Sequence, residues 1–485
     1  MITHGASPAK RGALSLPARV LSLGLTLIAC GSQGSVEPGA APPGANGAAA
    51  SPRAVVVAIH ELPPTSLKVL NPGLSDEDLR RTLENTVDPG SGRVKGQIDN
   101  PSLGSGLFRL ADGTYYMMTD RGINDDHHDD QGREDGKTFP LPSFAPAIVK
   151  VRLEGTSLLV ERAIPLRSAG GEPISGLPNQ AGDQKGFLNL RERTPLPVDP
   201  SGMDVEEVVA LPGGDLVLGE EYGPSIVVAR ADGRVKVRYT PAGRELPGAV
   251  YPVRPILPAA LAHYRHNRGF ECLALSRGGS IAYAVLESPL GSRDDDRYSK
   301  TRAVRVLRLD LSDPLRAAVT GHFIVLQSPA GAPSDGVAFA EGARQHDIKF
   351  SSAAWLGPDR LLLLEHGPGL VKVRAVDLRG ATNLLGHPAE NTLDLEDTTT
   401  AGKGHAALFV TPATSAVVLT SLEVPEMVRG GPRFPAGTDK WEGLSIVDSQ
   451  TLALANDNDF GIVDNRQRST VWIVRLGSRL DLAVP

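Results

Sequence analysis

The chain has 485 residues, with 53 Gly and 39 Pro, and carries 50 Lys plus Arg against 56 Asp plus Glu, a formal net charge of −6. Aromatic residues make up only 5% of it, so it offers neither a basic footprint nor stacking platforms, and nothing in the composition points to nucleic acid. The length suffices for one large β-domain, and the Gly and Pro content suits a fold with many turns.

Residues 1–29 read as a targeting segment. Lys10, Arg11 and Arg19 form its positive region, and Val20 to Ala29 its apolar stretch, which is too short to span a bilayer. Leu27-Ile28-Ala29-Cys30 resembles a bacterial lipobox, implying a lipid on Cys30 and residence at the cell envelope; Gly31, where Asp would retain the protein, resembles lipoproteins sorted to the outer membrane. An ordinary cleaved signal is the competing reading. Residues 30–52, mostly Gly, Ala, Pro and Ser with Glu37 as the one charge, cannot bury enough surface to order themselves and read as a flexible tether. Residues 53–485 are then a single β-domain. With Cys30 lipidated, Cys272 has no partner for a disulfide, and its place inside an apolar run makes it a packing residue.

Ala54 to His60 is a β-rich run, expected to pair with the last strands near Val471 to Leu476 and so close a ring. After it one pattern recurs. A polar residue opens an apolar run, a turn follows, and a second apolar run ends on an acid. The five pairs are Ser105/Asp120, Glu206/Glu221, Glu271/Glu287, Ser351/Glu365 and Glu442/Asp457, with intervals of 14 to 16 residues. In the fourth unit the first place falls on either Lys349 or Ser351. Such steadiness across otherwise different segments indicates a repeated module. The expected fold is all-β, a β-propeller of four-stranded antiparallel blades, with five repeats countable and five or six blades. Radial strands bring equivalent positions together, so the acids are expected to converge on a central opening.

Several segments interrupt the units. Asn124 to Lys137 is an acidic insertion whose spacing matches no dedicated calcium loop and reads more simply as solvated. Arg167 to Gly202 is a long irregular connection of the kind that covers a functional face. Leu257 to Arg268 reads as a short helix or rim loop, and Arg265-His266-Asn267-Arg268 within it lacks the glycine of the phosphatase signature it superficially matches. Gly291 to Thr301 and Pro388 to Gly404 read as exposed insertions.

The runs DVEEVVALPGGDLVLGEEYGPSI, NRGFECLALS followed by LESPL, and KWEGLSIVDSQTLALANDNDFG together resemble the family called esterase-like activity of phytase, or phytase-like, over about Ser102 to Leu476. The resemblance implies an exported, propeller-like β-domain and suggests an ester hydrolase. Ser105 and the Lys349/Ser351 region carry no acid where other units have Glu.

Carboxylates crowded at one opening raise each other's pKa unless cations neutralise them, and oxygen-rich clusters suit Ca²⁺. The candidate metal ligands are Asp120, Glu206, Glu221, Glu271, Glu287, Glu365, Glu442, Asp457 and Asp459. Arg121, His366, Lys440 and Arg268 lie beside them in sequence and are candidates for contacting a substrate phosphate or donating a proton. The competing reading makes each acid a strand-ending or rim residue and each base a salt-bridge partner. Asn456 to Gly461 begins like an EF-hand loop, but Phe460 and Gln467 stand where oxygen ligands and a Glu are needed. No GxSxG elbow is present to mark a serine esterase. The expected function is metal-assisted hydrolysis of a small-molecule phosphoester or other ester by a lipid-anchored monomer. The alternative is a non-catalytic propeller that binds a ligand or protein partner.

Overall fold

The computed structural model describes residues 54–88, 90–128, 134–180, 185–189, 194–331, 336–424 and 440–482. The expected leader, Cys30 and the tether lie outside the described residues.

The apolar runs fold into strands laid down in groups of four. β1 (Val55–Glu61) comes first, then the short helices α1 (Leu67–Leu70) and α2 (Asp76–Asn85), the latter started by a capping box between Ser75 and Asp78. Blade 1 is β2 (Ser105–Arg109) and β3 (Tyr115–Met118) and, after the hairpin β4 (Asp125–His128) and β5 (Glu134–Thr138), β6 (Ala147–Glu154) and β7 (Ser157–Pro165). The two-residue strands β8 (Gly186–Phe187) and β9 (Pro195–Leu196) precede blade 2. That blade comprises β10 (Val205–Ala210), β11 (Leu216–Glu220), β12 (Ser225–Ala229) and β13 (Val235–Pro241), with β14 (Val253–Leu257) added as a parallel outer strand. Blade 3 is β15 (Phe270–Leu275), β16 (Ile281–Leu286), β17 (Ala303–Asp310) and β18 (Ala318–Leu326). Blade 4 is β19 (Lys349–Gly357), β20 (Arg360–Gly367), β21 (Leu370–Asp377) and β22 (Thr414–Thr420).

Blade 5 has only β23 (Trp441–Asp448), β24 (Thr451–Asn456) and β25 (Thr470–Arg475) from its own stretch of chain, and β1 supplies the fourth strand. Ile59 faces Trp472 and Glu61 faces Thr470 in an antiparallel ladder, so the two ends of the domain are joined as the sequence led one to expect. Of the five or six blades the sequence allowed, the described residues form five, and their inner strands β2, β10, β15, β19 and β23 touch in turn around one axis.

Packing of blade on blade explains why the inner and middle strands read as unbroken apolar runs. Every residue of β11 and β12 is buried, because each sheet face is covered by a neighbouring blade, whereas the outer β14 is largely exposed. Between blades 4 and 5, Trp441 and Trp472 meet edge to face at 5.3 Å inside an aliphatic cluster. Each such side chain contributes roughly 1.5–3 kcal/mol by leaving water.

The register holds one feature that the fold repeats five times. In each inner hairpin the pairing skips a single residue of the inner strand: Gly106, Glu206, Glu271, Ser351 and Glu442. A bulge of this kind re-aims the extra side chain out of the ladder. This settles the fourth unit on Ser351, with Lys349 two residues earlier. It also corrects the first unit, where Gly106, at φ +78°, takes the place expected for Ser105.

Just past the bulge, Glu207 fills the axis. Its carboxylate accepts from the backbone N–H of Leu107 on β2 at 3.2 Å and bonds the Ser352 hydroxyl of β19, which in turn accepts from Leu444 N–H of β23 at 3.1 Å. Four of the five inner strands are thereby tied through one buried side chain.

The insertions are more ordered than expected. β4, β5, β8 and β9 form a small separate sheet, in which the His127 ring stacks on Phe187 at 3.7 Å. Pro388 to Gly404 is not simply exposed. Leu395 is buried against Ala303 and Ile324, and Glu396 makes a bidentate pair with Arg305 at 2.6 and 2.9 Å, both side chains fully buried.

Removing one partner of that pair strands the other charge in the interior, so Glu396→Ala is expected to cost about 3–5 kcal/mol in chemical denaturation. His322 lies against Arg305, and burial, followed by the nearby guanidinium, holds it well below the usual histidine value. The unfolded chain therefore takes a proton that the folded chain refuses. That contribution is present above about pH 6.5 and is lost as the pH falls below it. A urea series from neutral to mildly acid pH should show the loss in the native chain and a shallower one in His322→Asn.

Candidate functional site

Three positions in each inner hairpin face one end of the axis: the bulged residue, the residue two before it, and the residue that follows the partner of the one just before the bulge. In blade 2 these are Glu206, Asp204 and Glu221, and in blade 3 Glu271, Gly269 and Glu287. Blade 4 supplies Ser351, Lys349 and His366, blade 5 Glu442, Lys440 and Asp457, and blade 1 Gly106, Gly104 and Thr119. Backbone bonds hold the outer pair of each set together, as from Glu221 N–H to Asp204 O at 2.8 Å and from Glu287 N–H to Gly269 O at 2.9 Å. The mouth is consequently acidic on blades 2 and 3, mixed on blade 5 and cationic on blade 4, while blade 1 is bare at these three positions and its expected acid, Asp120, enters one residue past Thr119. The bareness has a steric cause, since a Cβ on Gly104 would lie 2.2 Å from the backbone of Asp457.

Most of the expected acids converge here. Ligand oxygens of Asp120, Asp204 and Glu206 lie within 4.8 Å of one another, and so do those of Glu221, Glu271 and Glu287. These two groups are compatible with a metal site. Glu442, Asp457 and Asp459 stand beside them, gathered by Lys440, whose Nζ is 2.7 Å from Asp457, 2.6 Å from Asp459 and 3.8 Å from Glu442. Glu365 does not belong. It lies inside blade 4, paired with Arg374 at 2.8 Å and accepting from Ser328 N–H at 2.6 Å, the place that Glu220, paired with Arg238, holds in blade 2. The register gives its expected place at the mouth to His366.

Among the candidate bases, Arg121 is buried between the two carboxylate groups, with Nη1 2.9 Å from Asp204 and Nη2 3.4 Å from Glu221, and its guanidinium stacks over Tyr222 at 5.3 Å. Lys440 is about one-third exposed and sits at the rim. His366 is buried, and burial followed by the charge of Lys349 brings it down to about 3, so it is neutral at physiological pH and no imidazolium is available to donate a proton. Among the described residues its Nε2 has no hydrogen-bond partner.

Three residues here escaped the sequence reading of the site. Asp204 stands two before the bulge, the same offset that separates Lys440 from Glu442. Lys349, 2.7 Å from Glu287, was considered only as an alternative first position. Glu207 is masked in the sequence by its acidic neighbour. Its pKa, raised by burial to about 8, leaves it protonated at neutral pH.

The charges are out of balance. Nine carboxylates, of Asp120, Asp204, Glu206, Glu221, Glu271, Glu287, Glu442, Asp457 and Asp459, share the cations Arg121, Arg268, Lys349 and Lys440. Where a cation sits close, burial is outweighed: Arg268 at 2.6 Å and Lys349 bring Glu287 to about 2, and Lys440 does the same for Asp457. Elsewhere burial and the neighbouring acids prevail. Burial, then Asp457, pushes Asp120 up to about 7 and Glu442 up to about 8, opposed only in part by Arg121 and Lys440. Burial, then Glu287 and Glu221, drives Glu271 well above its ordinary value. Among the described residues Glu271 Oε2, Glu221 Oε1 and Glu287 Oε2 are buried with no hydrogen-bond partner, an arrangement that asks for cations.

Divalent cations should therefore stabilise the fold. At about a hundred times Kd the expected gain is about 2.7 kcal/mol, read as a rise in Tm. Glu271→Gln relieves like-charge crowding, so it should raise the Tm of the chelated protein and shrink the response to added cation.

The family model for phytase-like proteins, described as esterase-like activity of phytase, matches residues 104–460. No curated protein matches the chain. Among solved structures it is similar to a Pseudomonas aeruginosa periplasmic gluconolactonase, at 15% identity over 82% of this chain and 94% of the other with a TM-score of 0.29. It is also similar to regucalcin, a calcium-binding protein of Agrobacterium tumefaciens, at 11% identity over 80% and 95% with a TM-score of 0.31. A luciferin-regenerating enzyme matches at 9% identity over 79% and 96% with a TM-score of 0.32. Likenesses this remote carry nothing about chemistry.

Proposed function

The chain belongs to the phytase-like family, and from that membership and the acidic mouth we propose that it hydrolyses phosphoesters, or other esters, with the help of bound divalent cations, Ca²⁺ foremost. The observation that carries this reading is the surplus of buried carboxylate, with oxygens on Glu221, Glu271 and Glu287 that accept no hydrogen bond among the described residues. The donors are all oxygen, which suits Ca²⁺ and its six to eight ligands. Asp120, Asp204 and Glu206 would hold one ion, and Glu221, Glu271 and Glu287 another. Such an ion neutralises the oxygens of a phosphate and makes a water more acidic.

The rest falls to the chain's own groups. Arg121 orients Asp204 and Glu221 from between them. Arg268 and Lys349 hold Glu287 ionised, and Lys440, protonated and reaching the rim, can meet a phosphoryl oxygen. In the net reaction water adds to phosphorus, the bond from phosphorus to the alcohol oxygen breaks, and the alcohol leaves with a proton from that water. On the reading of its leader, the protein does this as a monomer at the cell envelope, held by lipid on Cys30, with the outer membrane favoured.

The test is turnover of an aryl phosphate and an aryl carboxylate ester by the full-length protein, with Ca²⁺ and with a chelator. Phosphate release that needs the ion and drops roughly a hundredfold or more in Glu271→Gln is the expected result. Ester cleavage indifferent to chelation would point to a nucleophile elsewhere. Absence of both activities would favour a propeller that binds a ligand without converting it.

A further inference from the structure

The end of the axis opposite the carboxylate mouth carries a cup of about 380 Å³, within the range of small-ligand pockets. All five inner strands contribute to its wall, and Leu482, beyond the last strand, completes it. Leu275, Trp355 and Ile446, each four residues past the bulge of its strand, stand there half-buried, as does Phe108, two past the bulge of β2. Side chains of this kind are covered where blade packs on blade. Around the cup they keep apolar surface in contact with water, and a ligand with an apolar body would remove that contact.

The polar side chains of the cup are divided by depth. On the floor, Glu207 accepts from the N–H groups of Leu107 and Val208 and bonds the Ser352 hydroxyl, and on the wall Ser445 Oγ accepts from Arg109 N–H at 3.2 Å. Those groups are engaged within the ring. At the lip stand Arg109, Arg277 and Asp448, all three exposed. Asp448 Oδ1 accepts from Gln450 N–H at 2.7 Å and so serves its own turn, while among the described residues neither arginine pairs with a carboxylate. The lip is thus cationic above an apolar wall. A guanidinium takes a carboxylate through two parallel hydrogen bonds, and a ring of five strands encloses a small molecule better than a protein surface.

We propose that this cup binds a small amphipathic carboxylate of the fatty-acid class, with its hydrocarbon body between Phe108, Leu275, Trp355 and Ile446 and its carboxylate at Arg109 and Arg277. The site lies across Glu207 from the carboxylate mouth and does not depend on the hydrolase reading.

The test is decanoate titrated into the chelated full-length protein, so that no cation at the mouth draws the carboxylate. Of the 3 tryptophans, Trp441 and Trp472 are fully buried between blades and Trp355 borders the cup. Decanoate should therefore change the intrinsic fluorescence, and Trp355→Phe should remove that change while calorimetry still detects binding. Replacing both exposed arginines, Arg109→Gln together with Arg277→Gln, should raise Kd for decanoate about tenfold and leave Kd for uncharged decanol as it was. Higher salt should weaken decanoate and not decanol. A fluorescence change that survives Trp355→Phe, or a Kd that ignores the arginines, places the ligand elsewhere and overturns the proposal. Absence of binding overturns it too. If decanoate binds only after the chain is cut behind Leu482, the cup belongs to the chain's own end and the proposal falls.

Discussion

A hairpin in regular register alternates its side chains between the two faces of its blade, and in a ring of blades both faces are covered by neighbours. Side chains reach the axis from such a hairpin only where the ladder is broken. The extra residue at Gly106, Glu206, Glu271, Ser351 and Glu442 is that break, made at the same rung five times. It turns one residue per blade toward the centre and sets the residues two before it and one past the facing rung around it. Whatever the protein does at this mouth depends first on a backbone device, and the carboxylates are what this chain has placed on it.

The propeller, its ring closure and most of the acidic set were legible because they follow from spacing, which counted five repeats and left a sixth blade open. Strand lengths and turns in a propeller repeat, and so do the places of residues at strand ends. The readings that failed did so by one residue. Ser105 stood for Gly106 and Glu365 for His366, since an acid next to a bulge looks like an acid in it until the register is known. Glu365 and Glu220 occupy one equivalent place on the second strands of their blades and answer to Arg374 on the third strand and Arg238 on the fourth, contacts that an interval count does not contain.

Around the ring the charges are sorted. The two acid groups on blades 2 and 3 are separated by Arg121, and the acids of blade 5 are drawn together by Lys440. Lys349 and Arg268 converge on Glu287 and hold it ionised, while Glu271 beside it is driven well above its ordinary value by burial and its acidic neighbours, opposed only in part by Lys349. Four cations thus divide nine acids into small groups. Such groups fit individual ions better than an undivided acidic surface, whose counter-ions would stay diffuse.

Glu207 has a consequence for both ends of the ring. Because it spans the axis from β10 to β2 and β19, it is the floor of the carboxylate mouth. At the far end of the ring it lines a second hollow, of about 380 Å³, among the apolar ends of the inner strands. Among the described residues the two ends of the ring therefore meet at one buried side chain, so a change at Glu207 would reach both at once.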